Sequence, residues 1–130
     1  AAGGVRIGLE MELPAAEYRA LVEEAAHPAL GAYYDVGNAT AKGFDAADDV
    51  RLLAPYLCGV HIKDRRRGGP SVPLGSGDVD FPRFFAALLA AGYTGPLVLQ
   101  PATSGDYLAA AKTHLAFVQG HLAGASARIR

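Results

Sequence analysis

Polar residues that suit metal-ion chemistry follow each of four apolar, strand-like runs in the sequence. Glu10 follows the first run, Asp35 the second and Gln100 the fourth, and His61 lies at the end of the third. In parallel α/β architectures, ligands bind at the carboxyl ends of the strands. A glutamate, an aspartate and a histidine that converge there offer oxygen and nitrogen ligands for Mn²⁺, Mg²⁺ or Zn²⁺. The alternative is that these residues cap helices or meet solvent.

The elements that must position these residues follow an alternating pattern. Short apolar runs alternate with helical patterns four times, which predicts four βα units with parallel strands and helices on their outside. Strands are expected at 5–10, 31–36, 57–62 and 96–100, and helices at 14–26, at 45–55, after Asp80 and at 105–123. We expect one α/β domain over residues 1–125 and a flexible tail over 126–130.

Two of the predicted helices have apolar faces that indicate how they pack. The third helix has the clearest stripe, with helical spacing at Phe81, Phe84, Phe85, Leu88 and Leu89. The last helix is expected to turn inward Leu108, Ala111, Leu115, Val118 and Leu122. Both faces predict packing against a common core.

Composition excludes several classes of protein. The 130 residues are 51% hydrophobic, which is typical of a globular domain and not of a disordered chain. A net charge of −1 argues against a nucleic-acid or membrane-surface partner. No apolar run approaches the roughly 18 residues of a membrane span, the start lacks a signal-peptide pattern, and Cys58 has no disulfide partner. The simplest expected location is therefore the cytoplasm.

Four segments carry a family resemblance: YDVGN at 34–38, GVHIKD at 59–64, VPLGSGDVDF at 72–81 and GYTGPLVL at 92–99. In this order they resemble the second half of the xylose-isomerase-like sugar phosphate isomerase/epimerase superfamily. The nearest branch contains the L-ribulose-5-phosphate (L-xylulose-5-phosphate) 3-epimerases and the hexulose-6-phosphate isomerase-like proteins. The resemblance covers the chain from Val5 to about Val118.

The resemblance implies half of a TIM barrel. That fold has eight βα units and typically about 250 residues, so this chain would contain strands five to eight. Four strands leave two open sheet edges, which are normally covered or paired. We therefore expect either a homo-oligomer, in which two copies cover these edges, or association with a separate half-barrel.

The resemblance also implies an activity. Enzymes of this superfamily hold one divalent ion with two glutamates, an aspartate and a histidine, and the glutamates exchange a proton at the carbon next to a carbonyl. Glu10 then matches the first metal-binding and catalytic glutamate, and Asp35 and His61 match the other two ligands. Mn²⁺ is the expected ion, with Mg²⁺ or Zn²⁺ as alternatives.

Gln100 stands where the superfamily has its second catalytic and metal-binding glutamate. A glutamine offers a neutral carbonyl ligand but cannot act as a base near neutral pH. Glu12, two residues from Glu10 on an extended segment, is a carboxylate that could take this place, or it is a charge at the helix entry. Gln100 thus leaves open whether the chain is an active enzyme.

Further positions indicate how a sugar or sugar phosphate would bind. Asn38 lies where relatives have a polar residue that contacts substrate, or it is a turn residue. Lys63 belongs to a His-x-Lys-Asp segment, in which Asp64 is a partner of the site or a loop cap. The features most suited to a phosphate, unless they form a solvated loop, are Arg65, Arg66, Arg67, Gly75, Ser76 and Gly77.

Two classes of function remain open from the sequence. The first is a metal-dependent sugar phosphate isomerase or epimerase that transfers a proton next to a ketose carbonyl. The second is a non-catalytic half-barrel that binds metal or sugar, or that assembles with a partner. The related endonuclease branch is disfavoured, because it would need more metal ligands and a basic surface for DNA.

Overall fold

The computed structural model describes residues 3–129, which form a layer of parallel strands with helices packed against it. In chain order the elements are β1 (Ile7–Leu9), α1 (Ala15–Ala25), β2 (Leu30–Asp35), α2 (Val36–Ala41), α3 (Ala46–Leu53), a 3-10 turn (Ala54–Tyr56), β3 (Leu57–Ile62), β4 (Asp64–Arg65), β5 (Ser71–Val72), α4 (Phe81–Ala90), β6 (Leu97–Leu99) and α5 (Tyr107–Ile129).

The main sheet brings the ends of its four strands to one edge. Its order is β1-β2-β3-β6, and each neighbouring pair is parallel. The register places Asp35 opposite His61, and His61 opposite Val98. The predicted βα units with parallel strands are therefore confirmed, and two of the candidate ligands are neighbours across the sheet.

The core lies between the sheet and the helices. Val60 and Ile62 of β3 and Phe84 and Phe85 of α4 are completely buried. Full burial of a phenylalanine side chain contributes about 1.5–3 kcal/mol. The aromatic stripe predicted for this helix is confirmed as a core face, with Leu89 partly buried at its end.

Aspartates begin two of these helices, as the sequence predicted. The Asp45 carboxylate accepts hydrogen bonds from the backbone N–H groups of Ala47 and Asp48, and the Asp80 carboxylate accepts one from Arg83. Such caps satisfy N–H groups that have no partner inside the helix. The Arg83 guanidinium donates to Asp45 and Asp48, so it also joins α4 to α3.

The segment after β2 differs from the prediction. We expected the strand to reach Val36 and no helix before Asp45, but β2 ends at Asp35 and α2 follows at once. The Asp35 carboxylate caps α2 by accepting a 2.8 Å hydrogen bond from the backbone N–H of Asn38. Six residues are too short to show a helical period, so the hydrophobic pattern gave no sign of α2.

The long loop after β3 also contains structure that the sequence did not predict. β4 and β5 pair as a short antiparallel hairpin, with Asp64 opposite Val72 and Arg65 opposite Ser71. The hairpin therefore fixes the start of the loop in which we expected anion-binding groups.

The last helix packs differently from the expectation. Val118 is buried and Leu122 is partly buried, as predicted. Leu108 is 66% exposed, Leu115 is 50% exposed and Ala111 is also exposed, so the prediction that these three face inward is wrong. Within residues 3–129, β6 is the last strand of the sheet, and no further element covers this part of α5.

The end of α5 lies beyond its expected end. The helix continues to Ile129 instead of stopping at Ala123, and Arg130 lies outside the described residues. Flexibility of the tail at 126–130 stays a prediction. Among residues 3–129, no helix has both the length and the apolar character needed to cross a membrane.

Candidate metal centre

Glu10, Asp35 and His61 converge at the carboxyl edge of the sheet. Each offers one ligand atom, and these atoms all lie within 4.8 Å of one another. His61 Nδ1 is 3.3 Å from Glu10 Oε2 and 3.9 Å from Asp35 Oδ2. The parallel register explains the convergence, because it places Asp35 directly opposite His61. The structure thus brings together three residues that the sequence predicted as ligands.

Two buried atoms in this group have no hydrogen-bond partner among the residues that the structure describes. They are Asp35 Oδ2 and His61 Nδ1. Buried polar atoms are nearly always partnered, so two that face each other point to a missing group. A carboxylate oxygen and an imidazole nitrogen both suit Mn²⁺, Mg²⁺ or Zn²⁺. The residues present therefore fit a divalent cation.

The Asp35 carboxylate has two separate tasks. Its Oδ1 atom caps α2 through the backbone N–H of Asn38, and its Oδ2 atom points toward His61. The Asp35 residue is only 4% exposed. Because the cap fixes one oxygen, the other is held in place for a ligand.

Gln100 and Lys63 form the next part of the site. The Lys63 ammonium donates to Gln100 Oε1 at 3.4 Å and lies 3.6 Å from Asp35 Oδ2. Gln100 therefore reaches the same edge of the sheet, where Lys63 joins it to Asp35. Glu12 instead forms an exposed ion pair with Lys42, so the structure does not bring Glu12 into the group.

Asn38 contacts the other carboxylate oxygen of Glu10, and Arg65 contacts Asn38. The Asn38 Nδ2 group donates to Glu10 Oε1 at 3.3 Å, and Arg65 Nη1 donates to Asn38 Oδ1 at 3.0 Å. Arg65 Nε and Nη2 both donate to the Gly69 carbonyl, at 3.2 and 2.8 Å. The sequence predicted both side chains as substrate contacts and missed that they contact each other.

Asp64 organises the loop that follows it. Its carboxylate is completely buried and accepts backbone hydrogen bonds from Gly75 at 2.9 Å, Gly77 at 2.8 Å and Val79 at 3.3 Å. A Cβ at Gly77 would collide with this carboxylate. Asp64 is therefore a loop anchor, which matches the loop-cap alternative.

The same hydrogen bonds change the interpretation of the Gly75, Ser76 and Gly77 segment. The N–H groups of Gly75 and Gly77 bind Asp64, and the N–H group of Ser76 donates to the Pro73 carbonyl. These N–H groups are not free for a phosphate, which corrects the expectation of an anion cradle there. Contact between the Ser76 side chain and a substrate stays a prediction.

Arg66 and Arg67 are the exposed members of the arginine run. The Arg66 guanidinium is 60% exposed and lies 4.0 Å from Asp78 Oδ1. The backbone N–H of Arg67 donates to Asp78 Oδ2 at 2.7 Å. Both guanidinium groups therefore remain candidates for a substrate anion.

Tyr33 is a neighbour of the site that the sequence analysis missed. Its ring lies 4.7 Å from the His61 ring, between centroids. A Cβ at Gly59 would overlap the Tyr33 ring, so glycine is needed there for the ring to occupy this position. Burial, with the nearby Cys58 and Glu10, raises the pKa of Tyr33, which keeps the phenol protonated. Gly8 and Gly59, in the two strands beside β2, both leave room for the Tyr33 ring, and they are the sequence signal that could have revealed its position.

Comparisons with known proteins found a matching family and similar curated proteins. The family described as Xylose isomerase-like TIM barrel matches residues 1–120. An L-ribulose-5-phosphate 3-epimerase of Salmonella typhi is 35% identical over 75 residues, which are 57% of this chain and 26% of that protein. The chain therefore matches about a quarter of this curated relative.

Solved structures show the same half-barrel. A structure of L-ribulose 3-epimerase aligns with a TM-score of 0.85 at 24% identity, covering 98% of this chain and 50% of that chain. A xylose isomerase-like TIM barrel protein from Mycobacterium smegmatis in complex with magnesium aligns with a TM-score of 0.70 at 21% identity, covering 94% and 45% of the two chains. The expected correspondence to half of a TIM barrel is thereby confirmed, and this chain spans about half the length of these structures.

Proposed function

Because the chain belongs to the xylose isomerase-like TIM-barrel family, we propose that it supplies the metal-binding half of a sugar or sugar phosphate isomerase or epimerase. The observation that carries this proposal is the convergence of Glu10, Asp35 and His61 around two buried atoms without partners. The curated relative is named as an L-ribulose-5-phosphate 3-epimerase, which supports a ketose phosphate as the substrate class.

In this proposal Glu10, Asp35 and His61 hold the ion, and the Gln100 amide oxygen and water complete its ligands. Mn²⁺ is the proposed ion, since the mixed oxygen and nitrogen donors suit it. When bound, a divalent ion supplies a Lewis acid that stabilises negative charge developing next to the substrate carbonyl. The hydrogen bond that Asp35 accepts from the Asn38 N–H keeps the Asp35 carboxylate oriented, and the packing of Tyr33 on His61 keeps the imidazole oriented.

Glu10 is the group proposed to move the proton. Its side chain is 39% exposed, whereas that of Asp35 is 3% exposed, so Glu10 is the carboxylate that a substrate can reach. One carboxylate can take a proton from a carbon and return it on the same face. Inversion of that carbon also needs a donor on the opposite face, where Gln100 offers only an amide. Proton transfer on one face is therefore the step that these residues support best, and epimerisation would need a second proton donor besides Glu10 and Gln100.

Lys63, Arg66 and Arg67 are proposed to bind the substrate. The Lys63 ammonium lies at the edge of the metal centre beside Gln100, where it can donate to substrate oxygens. Arg66 and Arg67 are exposed in the turn between β4 and β5, and their guanidinium groups suit a phosphate. The proposed substrate is thus a small sugar phosphate.

The test is thermal unfolding with and without Mn²⁺, since an ion that binds only the folded state raises its stability. At 100 times the Kd the gain is about 2.7 kcal/mol. We expect a Mn²⁺-dependent rise in Tm that His61→Ala abolishes and that His27→Ala, outside the site, retains. Each variant is compared with its own metal-free Tm, so a change in intrinsic stability cancels. A parent protein with no Mn²⁺-dependent shift would contradict the proposal.

A non-catalytic metal- or sugar-binding module is the second candidate, and Gln100 is the observation that favours it. The two functions differ in proton exchange. With L-ribulose 5-phosphate and Mn²⁺ in D₂O, an enzyme with one base exchanges the carbon-bound proton next to the carbonyl, which ¹H NMR detects as signal loss. Mn²⁺ binding without any such exchange would favour the module.

A further inference from the structure

Asn38 contacts two of the three residues proposed to hold the ion. Its backbone N–H donates to Asp35 Oδ1 at 2.8 Å, and its side-chain amide donates to Glu10 Oε1 at 3.3 Å. Glu10 Oε2 remains directed at His61, 3.3 Å away. One residue at the start of α2 thus bonds one oxygen of each carboxylate and leaves the other oxygen to the site.

Arg65 determines which way the Asn38 amide points. An arginine side chain only donates hydrogen bonds, and a carboxylate only accepts them. The Asn38 amide lies between the two, with its oxygen toward Arg65 Nη1 at 3.0 Å and its nitrogen toward Glu10. A flipped amide would face donor with donor and acceptor with acceptor. The chemistry therefore allows one orientation.

Arg65 is itself fixed by the hairpin. Its Nε and Nη2 groups both donate to the Gly69 carbonyl, and the residue pairs with Ser71 across the two short strands. Three of its nitrogen atoms are thus bonded within the chain. We propose that Arg65 and Asn38 are positioning residues that hold Glu10 in the metal centre, and that Arg65 does not serve as a phosphate ligand. This inference rests on the proposed function.

The first test is Mn²⁺ affinity, measured by EPR of the free ion. Asn38→Ala removes the side-chain amide and keeps the backbone N–H that caps α2, and Arg65→Met removes the donors and keeps the length. Loss of groups that orient metal ligands typically costs 10- to 100-fold in affinity, so we expect each variant to bind Mn²⁺ about 10-fold more weakly. Arg65→Lys, which keeps a donor, should recover part of the loss.

Arg66→Met is the matched control, since it removes the same charge from the neighbouring exposed residue. Removing a positive charge by itself favours a cation, so a loss in Arg65→Met that is absent in Arg66→Met indicates positioning. The double variant Asn38→Ala/Arg65→Met should bind like Asn38→Ala alone, because Arg65 acts through Asn38. Unchanged affinity in Arg65→Met, or additive losses in the double variant, would overturn the inference.

A metal-free measurement separates this inference from the proposed function. The side-chain amide signals of Asn38 in ¹⁵N NMR should move in Glu10→Ala and in Arg65→Met and stay in place in Arg66→Met. If the parent binds no Mn²⁺, the proposed function fails, while these signals still decide whether the contacts exist. Amide signals that are the same in Arg65→Met and the parent would overturn the inference with or without metal.

Discussion

At the scale of single residues, Gln100 sets the charge of the metal centre. A glutamate at this position would add a negative charge to a site that now has two carboxylates and the nearby Lys63 ammonium. Two unit charges 4 Å apart attract by about 1 kcal/mol in bulk water and about 4 kcal/mol at an effective dielectric constant of 20. Mn²⁺ carries two positive charges, so the gain in cation affinity from a carboxylate at about that distance is at least the lower of these two values.

We therefore expect Gln100→Glu to bind Mn²⁺ at least about fivefold more tightly, the lower end of that range, and to enlarge the Mn²⁺-dependent rise in Tm. Gln119→Glu makes the same chemical change at an exposed position on α5 and should leave the affinity unchanged. Calorimetric titration of the two variants and the parent gives the comparison. Equal Mn²⁺ affinities in all three proteins would show that position 100 does not contribute a ligand to the metal centre.

Residue types predicted the centre of the site better than its surroundings. Glu10, Asp35 and His61 could be named because the carboxyl ends of parallel strands meet at one edge of the sheet, and because the family resemblance pointed to the same three residues. The sequence left two roles open for Asp64, since nothing local to it shows that its carboxylate accepts hydrogen bonds from the N–H groups of residues 75–79. Such contacts depend on how the loop folds back and not on residue type.

At the scale of elements, a partly buried pair joins β2 to α3. The Tyr34 hydroxyl donates to Asp49 Oδ2 at 2.8 Å. Burial raises the pKa of both groups, and the neighbouring Asp45 and Asp48 carboxylates raise that of Asp49 further. Because the folded pKa of Asp49 is raised above its ordinary value of 3.8, its contribution to stability is complete below that pH and is lost as the pH rises through the folded pKa.

Asp49→Asn keeps an acceptor for Tyr34 and removes this titration. We expect the Tm difference between Asp49→Asn and the parent to shift in favour of the variant between pH 3 and pH 7. Tyr34→Phe should show the opposite trend, with a larger loss at pH 7, because it leaves the Asp49 carboxylate buried without its donor. Calorimetric Tm values across this range provide the check, and a difference that is independent of pH would contradict the assignment.

Elements with a clear hydrophobic period were predicted well. The third strand was expected at 57–62 and lies at Leu57–Ile62, and the aromatic stripe of α4 is a core face. α2 was missed, because a helix of this length is determined by its cap and not by a period. In α5 the apolar period alone did not indicate which turns are covered, since coverage depends on what lies beyond β6.

At the scale of the whole molecule, the sheet has two free edges. Among the described strands, β1 pairs only with β2, and β6 pairs only with β3. Apolar side chains are exposed on both edge strands: Ile7 of β1 is 57% exposed and Val98 of β6 is 39% exposed. Unpaired edges with exposed apolar residues favour pairing with another chain.

We expect two copies to associate so that β1 of each pairs with β6 of the other, which gives eight strands and covers both edges. A closed arrangement of this kind uses the same β1–β6 contact twice, so it stops at a dimer. Light scattering behind a sizing column at micromolar concentration should then give twice the 13.5 kDa mass of the chain. A monomeric mass would contradict self-association and favour a separate half-barrel as the partner.

An edge variant tests the geometry of the association. Ile7→Lys places a charge on β1, and charged residues on an edge strand oppose strand pairing. Gln119→Lys adds the same charge on an exposed turn of α5 and serves as the control. We expect Ile7→Lys to give the monomeric mass and Gln119→Lys to remain dimeric. A dimer that survives Ile7→Lys must use another surface, and in that case the two half-sheets do not close into a barrel.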